Sequence, residues 1–469
     1  MSSEGLDDPA GQNNVLEAAP NRPSEDTEKM SVVPTPTSSS EPRLFSHGFF
    51  DREIANQRKI FLKATGMTTV IMMVVIWLFL SIYWGSLGSE IKYSPNLRAL
   101  VINRDNGTIG HGIEKALLDV NSSPPPHPTW VTLPASDFST HESLQELIEP
   151  EQKYWIIAEI MQDATQKLER AQSSGDSSWD PTNVVTLIYS SARNYIAIPS
   201  VVLTPTQETL SKVNSKLSGQ MVEKFLRSAA DNADAIQTAL RAPQTLSNSV
   251  GVRKEDIRPW DKPVAMAPTF VGLIYMVIIA LNVVLASSAV RPVIARFLRF
   301  RSYVILRILT TVLAAIPLSL MLTLLNIPFD LPFGKTFPYG GGFMVTWAAT
   351  FQALSLFGLV LESVVTLITP RFIGVFLIFF IVTNVSVANL PPELSPSFYK
   401  YGYAMPFHNL RLIYLIVFFN SGKHIHILKY FGILWAWFAL IGLTYPFFLY
   451  WDYRRNRRAM QQQEATPRT

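Results

Sequence analysis

Cysteine is absent from the 469 residues of this chain. Its absence excludes a disulfide framework, a zinc site built on thiolates and a cysteine nucleophile. Phosphate-binding and nucleophile motifs are missing too, since no G-x-x-x-x-G-K-[ST], G-x-S-x-G or H-E-x-x-H pattern occurs. His424 and His426 form an H-x-H pair, but the sequence places no carboxylate nearby to complete a metal site. We therefore expect no enzyme, no cofactor and no metal.

Positive charge is in only slight excess, and the formal net charge is +4. The arginines and lysines gather beside apolar runs, which is typical of topology determinants and not of a nucleic-acid surface. We expect no nucleic-acid partner. With 48% hydrophobic residues, the composition instead indicates a chain that is part membrane bundle and part soluble module.

Long uncharged runs are present, and one of them organises the chain. Residues 268–290 can cross ~30 Å of hydrocarbon, and the following loop, 291–303, holds four arginines and no acid, so it is predicted to be cytoplasmic. The pattern predicts a polytopic α-helical membrane protein with about six transmembrane helices and both termini cytoplasmic. The predicted crossings are 64–84, 268–290, 304–326, 343–366, 372–390 and 431–451.

The remaining segments are predicted from composition. Residues 1–48 are rich in Ser, Pro and acids and predict a disordered cytoplasmic tail, followed by an interfacial helix at 49–63. Within the five-helix membrane domain, 266–452, the outer segment 391–430 has an apolar core too short to cross, which favours a re-entrant or interfacial element. Residues 453–469 carry five arginines, four of them at 454–458, and predict a second cytoplasmic tail.

Residues 85–265 are the largest hydrophilic stretch. The runs NLRALVIN, YWIIAEI and VVTLIYSS read as strands and alternate with helical patterns, which predicts an α/β extracytoplasmic domain between the first and second membrane helices. Two sequons, Asn106-Gly-Thr and Asn121-Ser-Ser, lie in turn-like segments of this domain. They are candidate glycosylation sites if the domain is translocated.

Glu362 is the one acid inside a predicted crossing. A carboxylate there could serve as a proton relay or as the counter-ion of a cationic substrate, or it could pair with Arg307 or Arg371. Polar residues in the membrane domain are further candidates for a substrate path, although hydrogen bonds between helices are their commoner use. These candidates are Asn282, Gln352, Asn384 and Asn389.

The short cytoplasmic loops cannot fold an ATPase domain. If nucleotide drives the protein, a separate ATPase subunit must dock on the arginine-rich loop and on the helix predicted at 49–63. The candidate docking residues are Arg291, Arg296, Arg299 and Arg301. The alternative is that this loop only sets topology and contacts anionic membrane lipids.

Three strings carry a family resemblance: YWGSLGSEIKYSPNLRALVINRDNGTIG, DIRPWDKPVAMAPTFVGLIY and LSPSFYKYGYAMPFHNLR. Over residues 49–458 the chain resembles the fungal nitrosoguanidine-resistance proteins, whose membrane domain is similar to the permease of the second type of ABC exporter. The resemblance implies a plasma-membrane location, a link to resistance to toxic compounds and lipid distribution, and, by analogy, a homodimer. It implies no site residue.

Together these features predict a transporter-like permease that exports amphipathic or lipidic molecules or flips them between leaflets. The alternative is a non-transporting membrane scaffold or sensor that affects drug tolerance or lipid asymmetry.

Overall fold

A computed structural model describes residues 47–229, 233–368 and 372–465. Most of the predicted tail 1–48, residues 466–469 and Arg371 lie outside the described residues. The described residues divide into two compact units, the first ending at Met67 and the second beginning at Thr68. Helix α1, Ala55–Leu87, contains the later residues of the predicted interfacial segment and the whole of the first predicted crossing, 64–84.

A five-stranded mixed sheet follows α1. Its strands are β1 (Arg98–Asn103), β2 (Thr129–Thr132), β3 (Ile156–Ile160), β4 (Val185–Tyr189) and β5 (Val252–Asp256). The spatial order is β2-β1-β3-β4-β5, with β3 and β4 antiparallel and the other pairs parallel. Strands β1, β3 and β4 are almost wholly apolar because helices or loops cover both faces of the sheet.

Among the described residues, five helices of eight residues or more belong to this region: α2 (Thr108–Asp119), α3 (His141–Ile148), α4 (Ala164–Ser174), α5 (Thr204–Ala229) and α6 (Ala233–Arg241). One core contains Ala99, Val101 and Ala158 together with residues of α2, α4 and α5. The opposite face buries Leu100 and Ile157 against α3. We call residues 97–257 the sheet module.

Four more helices of the described residues are long and apolar enough to cross a membrane, in addition to α1: α7 (Pro263–Val290), α8 (Phe300–Leu324), α9 (Tyr339–Leu367) and α12 (His426–Ala465). The chain is thus a polytopic helical membrane protein. Helix α9 is central, since 72% of its apolar window is buried against 11–33% in the other four. Gly358 allows α8 and α9 to approach closely, because a Cβ there would lie 2.4 Å from Thr311 Cγ2.

Two shorter apolar helices complete the membrane domain, α10 (Ile373–Val385) and α11 (Pro406–Phe419). The α10 helix has 13 residues and spans only about 20 Å, so it is not by itself the crossing predicted for 372–390. Helix α11 lies in the predicted re-entrant segment 391–430, but it is packed inside the bundle and 13 of its 14 residues are buried.

A buried acid joins the sheet module to the bundle. Glu149, at the end of α3, is 4% exposed. It accepts hydrogen bonds from Ser421 Oγ at 2.6 Å and from the Gly422 amide at 2.6 Å, in the turn after α11. Gln152 and Ser190 also donate to it. The carboxylate thereby holds the turn after α11 against the sheet.

Candidate functional site

Glu362, on α9, is the centre of a charged network inside the helix bundle. Its side chain is 1% exposed, and that of Arg307, on α8, is 2% exposed. Arg307 Nη2 donates to Glu362 Oε2 at 2.6 Å. Arg291, directly after α7, donates to the other carboxylate oxygen. Tyr445, on α12, donates to Oε2 at 3.2 Å, so four helices meet at one carboxylate.

The network continues from Arg307 toward the end of α12. Arg307 Nη1 donates to Tyr303 Oη at 3.2 Å, and Tyr303 donates to Asp452 Oδ2 at 3.2 Å. Thr366, one turn after Glu362, accepts from Arg307 Nη2 at 2.6 Å. The i, i+4 spacing of Tyr303 with Arg307 and of Glu362 with Thr366 puts each pair on one helix face.

Pairing explains how this charge is tolerated in the membrane domain. An isolated ion at membrane depth costs several kcal/mol, whereas here both carboxylate oxygens accept hydrogen bonds from guanidinium groups. The pairing with Arg307, one of the alternatives that the sequence leaves open, is present. Proton transfer or counter-ion chemistry at Glu362 would require the network to open.

An apolar cavity of about 530 Å³ lies beside the network, between α8, α9 and α12. Its walls include Ile308, Phe351 and Trp435, and Tyr445 belongs both to the cavity wall and to the network. The polar exceptions in the wall are few. They include Gln352 and Ser355, whose buried hydroxyl has no hydrogen-bond partner among the described residues.

Comparison with known proteins identifies the family. Residues 68–443 match the family described as "Protein of unknown function (DUF3533)". The chain belongs to the DUF3533 family. It is also 24% identical, over 475 aligned positions, to an uncharacterised endoplasmic reticulum membrane protein of Saccharomyces cerevisiae, covering 95% of this chain and 88% of the relative. No solved structure matches.

The polar residues predicted for a path are dispersed in this DUF3533 protein. Gln352 lies in the cavity wall, about three turns of α9 from Glu362. Asn282 is exposed on the outside of α7 and donates to the Ile278 carbonyl. Asn384 accepts from the Phe407 amide at 3.3 Å at the start of α11. Asn389 lies under the sheet module, where its carbonyl accepts from Asn194 at 3.0 Å.

The four arginines of the arginine-rich loop differ in their contacts. Arg291 turns to Glu362 and its side chain is only 12% exposed. Arg296, Arg299 and Arg301 are exposed. The docking prediction therefore depends on the last three, and Arg291 is occupied by the network.

Both candidate glycosylation residues are exposed in the sheet module. Asn106 lies in the loop between β1 and α2. Asn121 follows α2, and its side chain exchanges two hydrogen bonds of 2.8 Å with the backbone of Trp130 on β2.

Sequence reasoning missed the polar residues at the junction of the sheet module and the bundle. These are Glu149, Arg193 and Arg411. Arg411 is the one charged residue in the apolar run 410–419, which is a signal that the sequence does offer. Nothing near Glu149 in the sequence distinguishes it from an ordinary surface acid.

Proposed function

We propose that this chain is a transporter-like permease that exports amphipathic or lipidic molecules or flips them between leaflets. The observation that supports this is the apolar cavity between α8, α9 and α12. Its volume of about 530 Å³ lies within the range of ~300–1,000 Å³ that is usual for ligand sites. The resemblance to nitrosoguanidine-resistance proteins and to ABC exporter permeases adds resistance to toxic compounds as the expected outcome.

The cavity wall suggests how binding and movement are coupled. A lipid tail or an apolar drug would occupy the space between Ile308 and Trp435, with Gln352 and Ser355 available to a polar group. Because Tyr445 is shared with the network, displacing it removes one hydrogen bond from Glu362. Occupancy would in this way loosen the contact between α9 and α12.

The proposal includes an arrangement in the membrane. The arginine-rich loop and both termini are cytoplasmic, as short basic segments usually are, and the sheet module lies on the opposite side. This arrangement needs an even number of crossings, so α10 and the buried turn after it together make the sixth. The membrane is that of the endoplasmic reticulum, by analogy with the yeast relative, or the plasma membrane.

Energy and partners follow from the same proposal. A separate ATPase subunit that docks on Arg296, Arg299 and Arg301 supplies the energy, or else a pH gradient or the lipid substrate itself does. The protein works as a homodimer, by analogy with permeases of the resembled class. Membrane lipids are the expected ligands of the bundle.

A matched pair of glycines on α12 tests the function. Gly442 lines the cavity and Gly432 does not, and at both positions the space around an added Cβ is open. G442W fills the cavity, so cells that carry it instead of the wild-type chain should become as sensitive to nitrosoguanidine, and as slow in moving a fluorescent lipid, as cells without the protein. G432W should behave as the wild type at equal abundance.

Equal activity of G442W, G432W and wild type would contradict transport through this cavity. If resistance then depends on the tails and not on the cavity, the scaffold or sensor alternative is favoured.

A further inference from the structure

A second cavity, of about 170 Å³, lies at the junction of the sheet module with α11 and α12. Its walls come from the sheet module, the segment 391–403, helix α11 with the turn after it, and the start of α12. The polar lining includes Arg193, Tyr403, His408, Arg411 and Tyr430. We call it the junction cavity, and it is separate from the apolar cavity beside Glu362.

Arg411, on α11, is a buried cation that has no counter-ion among the described residues. It is 4% exposed, and its Nη2 has no hydrogen-bond partner among the described residues. No carboxylate in the described part of the chain forms an ion pair with it. Burying a guanidinium costs several kcal/mol unless an anion and hydrogen bonds compensate. The described residues therefore do not fully compensate the charge of Arg411, and a bound anion would complete the compensation.

Arg193 brings a second guanidinium to the same cavity from the sheet module. Its Nη1 donates to the Tyr154 carbonyl at 2.8 Å, and its guanidinium carbon lies 3.7 Å from the centre of the Trp155 ring. Burial lowers the pKa of Arg193 to about 10, against the opposing effect of two carboxylates, Glu149 and Glu393. These contacts hold the Arg193 side chain in place and leave other N–H groups of its guanidinium available to a ligand.

Two acids near the junction cavity act on Arg193 and not on Arg411. The charges of Glu149 and Glu393 favour the charged form of Arg193, and Glu149 also accepts the hydrogen bonds from the sheet module and from the turn after α11 described above. Glu393 lies in the cavity wall, where Tyr403 donates to it at 3.4 Å. His408 donates from Nδ1 to the Val387 carbonyl at 3.2 Å and supplies no negative charge. Among the described residues, no carboxylate compensates the guanidinium of Arg411 in this way.

We propose that the junction cavity binds a phosphate group, either inorganic phosphate or the phosphate of a lipid headgroup, between Arg411 and Arg193. Guanidinium groups bind phosphate through paired N–H donors, and two of them approaching from different elements match a tetrahedral anion. The volume is several times the ~30 Å³ that one water occupies in the liquid. Apolar wall residues such as Leu412 and Leu415 suit the first methylene groups of a lipid's acyl chains.

Binding to the purified full-length protein in detergent tests this proposal without any transport assay, so its failure is distinguishable from failure of the permease function. Isothermal titration calorimetry uses three probes: inorganic phosphate, dihexanoylphosphatidic acid, and dihexanoylglycerol, which lacks the phosphate. We expect binding of at least one phosphate-containing probe and none of dihexanoylglycerol. Equal affinity for inorganic phosphate and for dihexanoylphosphatidic acid indicates that the site binds free phosphate. Binding of the phosphatidic acid alone indicates that it binds a lipid headgroup.

R411Q should weaken that binding by roughly tenfold or more, because it removes a charged donor to the anion. It should also fold, since Arg411 Nη2 has no hydrogen bond among the described residues to lose. R411K keeps the charge without the paired donors and should give an intermediate affinity. R253Q, which changes an exposed arginine of β5, is the matched control and should bind as wild type.

Two results would overturn the proposal. One is the absence of binding of either phosphate to the wild-type protein, which does not depend on any variant. The other is unchanged affinity in R411Q or, if R411Q does not fold, in R411K.

Discussion

At the scale of single residues, Glu362 stabilises the helix bundle because its negative charge compensates the positive charges of two arginines. E362Q keeps the size of the side chain but leaves Arg307 and Arg291 with less counter-charge inside the bundle. Breaking a buried pair from one side typically costs about 3–5 kcal/mol. We therefore expect E362Q to lower the thermal unfolding temperature of the detergent-solubilised protein and its abundance in cells.

The control is E169Q, on α4, whose partner Lys224 lies 3.5 Å away with both side chains largely exposed. Exposed pairs contribute only about 0–1 kcal/mol, so E169Q should unfold close to the wild type. A double variant that also removes the charge of Arg307 should recover part of the loss. An E362Q protein as stable as the wild type would show that the network is not needed for folding.

At the scale of elements, His141 ties helix α3 to two strands. Its Nδ1 lies 2.5 Å from Glu159 on β3 and its Nε2 lies 3.0 Å from Glu255 on β5. Partial burial opposes protonation, but the hydrogen bonds and charges of the two acids outweigh it and raise the pKa of His141 above its usual 6.5. The stabilisation is complete below the unfolded-state pKa and is lost as the pH rises through the raised one.

Hydrogen-exchange protection factors for β3 and α3 should therefore fall as the pH is raised above the usual histidine pKa of 6.5. H141Q, which cannot be charged, should remove this pH dependence. H111Q changes an exposed histidine of α2 that forms no ion pair with the described residues, so it should leave the dependence intact. Protection that falls equally in H141Q would assign the effect to other groups.

At the scale of the whole molecule, Asn106 and Asn121 report on which side of the membrane the sheet module lies. Both are exposed, and the proposed arrangement places them in the lumen or outside the cell. We expect the protein from eukaryotic cells to migrate faster on gels after treatment with a peptide N-glycosidase, and N106Q/N121Q to show no such change. A wild-type chain that is unaffected, while a known glycoprotein of the same cells shifts, would place the module in the cytosol.

Much of the fold could be predicted because its signals are local. Hydropathy is a sum over one window, so the long apolar runs indicated α1, α7, α8, α9 and α12 before any contact was considered. Strands β1, β3 and β4 were recognisable for the same reason, as short apolar runs between turns. Strand β5, with the sequence VRKED, has no such run. It is a strand because β4 offers it an edge for pairing.

The charged network at Glu362 depends on contacts between residues that lie too far apart in the sequence for one hydropathy window to include them. Arg307 and Glu362 are 55 residues apart, and Arg291 and Glu362 are 71 apart. Whether such side chains meet depends on the rotation and depth of each helix, which packing around α9 decides. The same packing buries Arg411, whose Nη2 has no hydrogen-bond partner among the described residues. Sequence alone therefore indicated which segments enter the membrane, and only the assembled helices and sheet decided which charges are paired there.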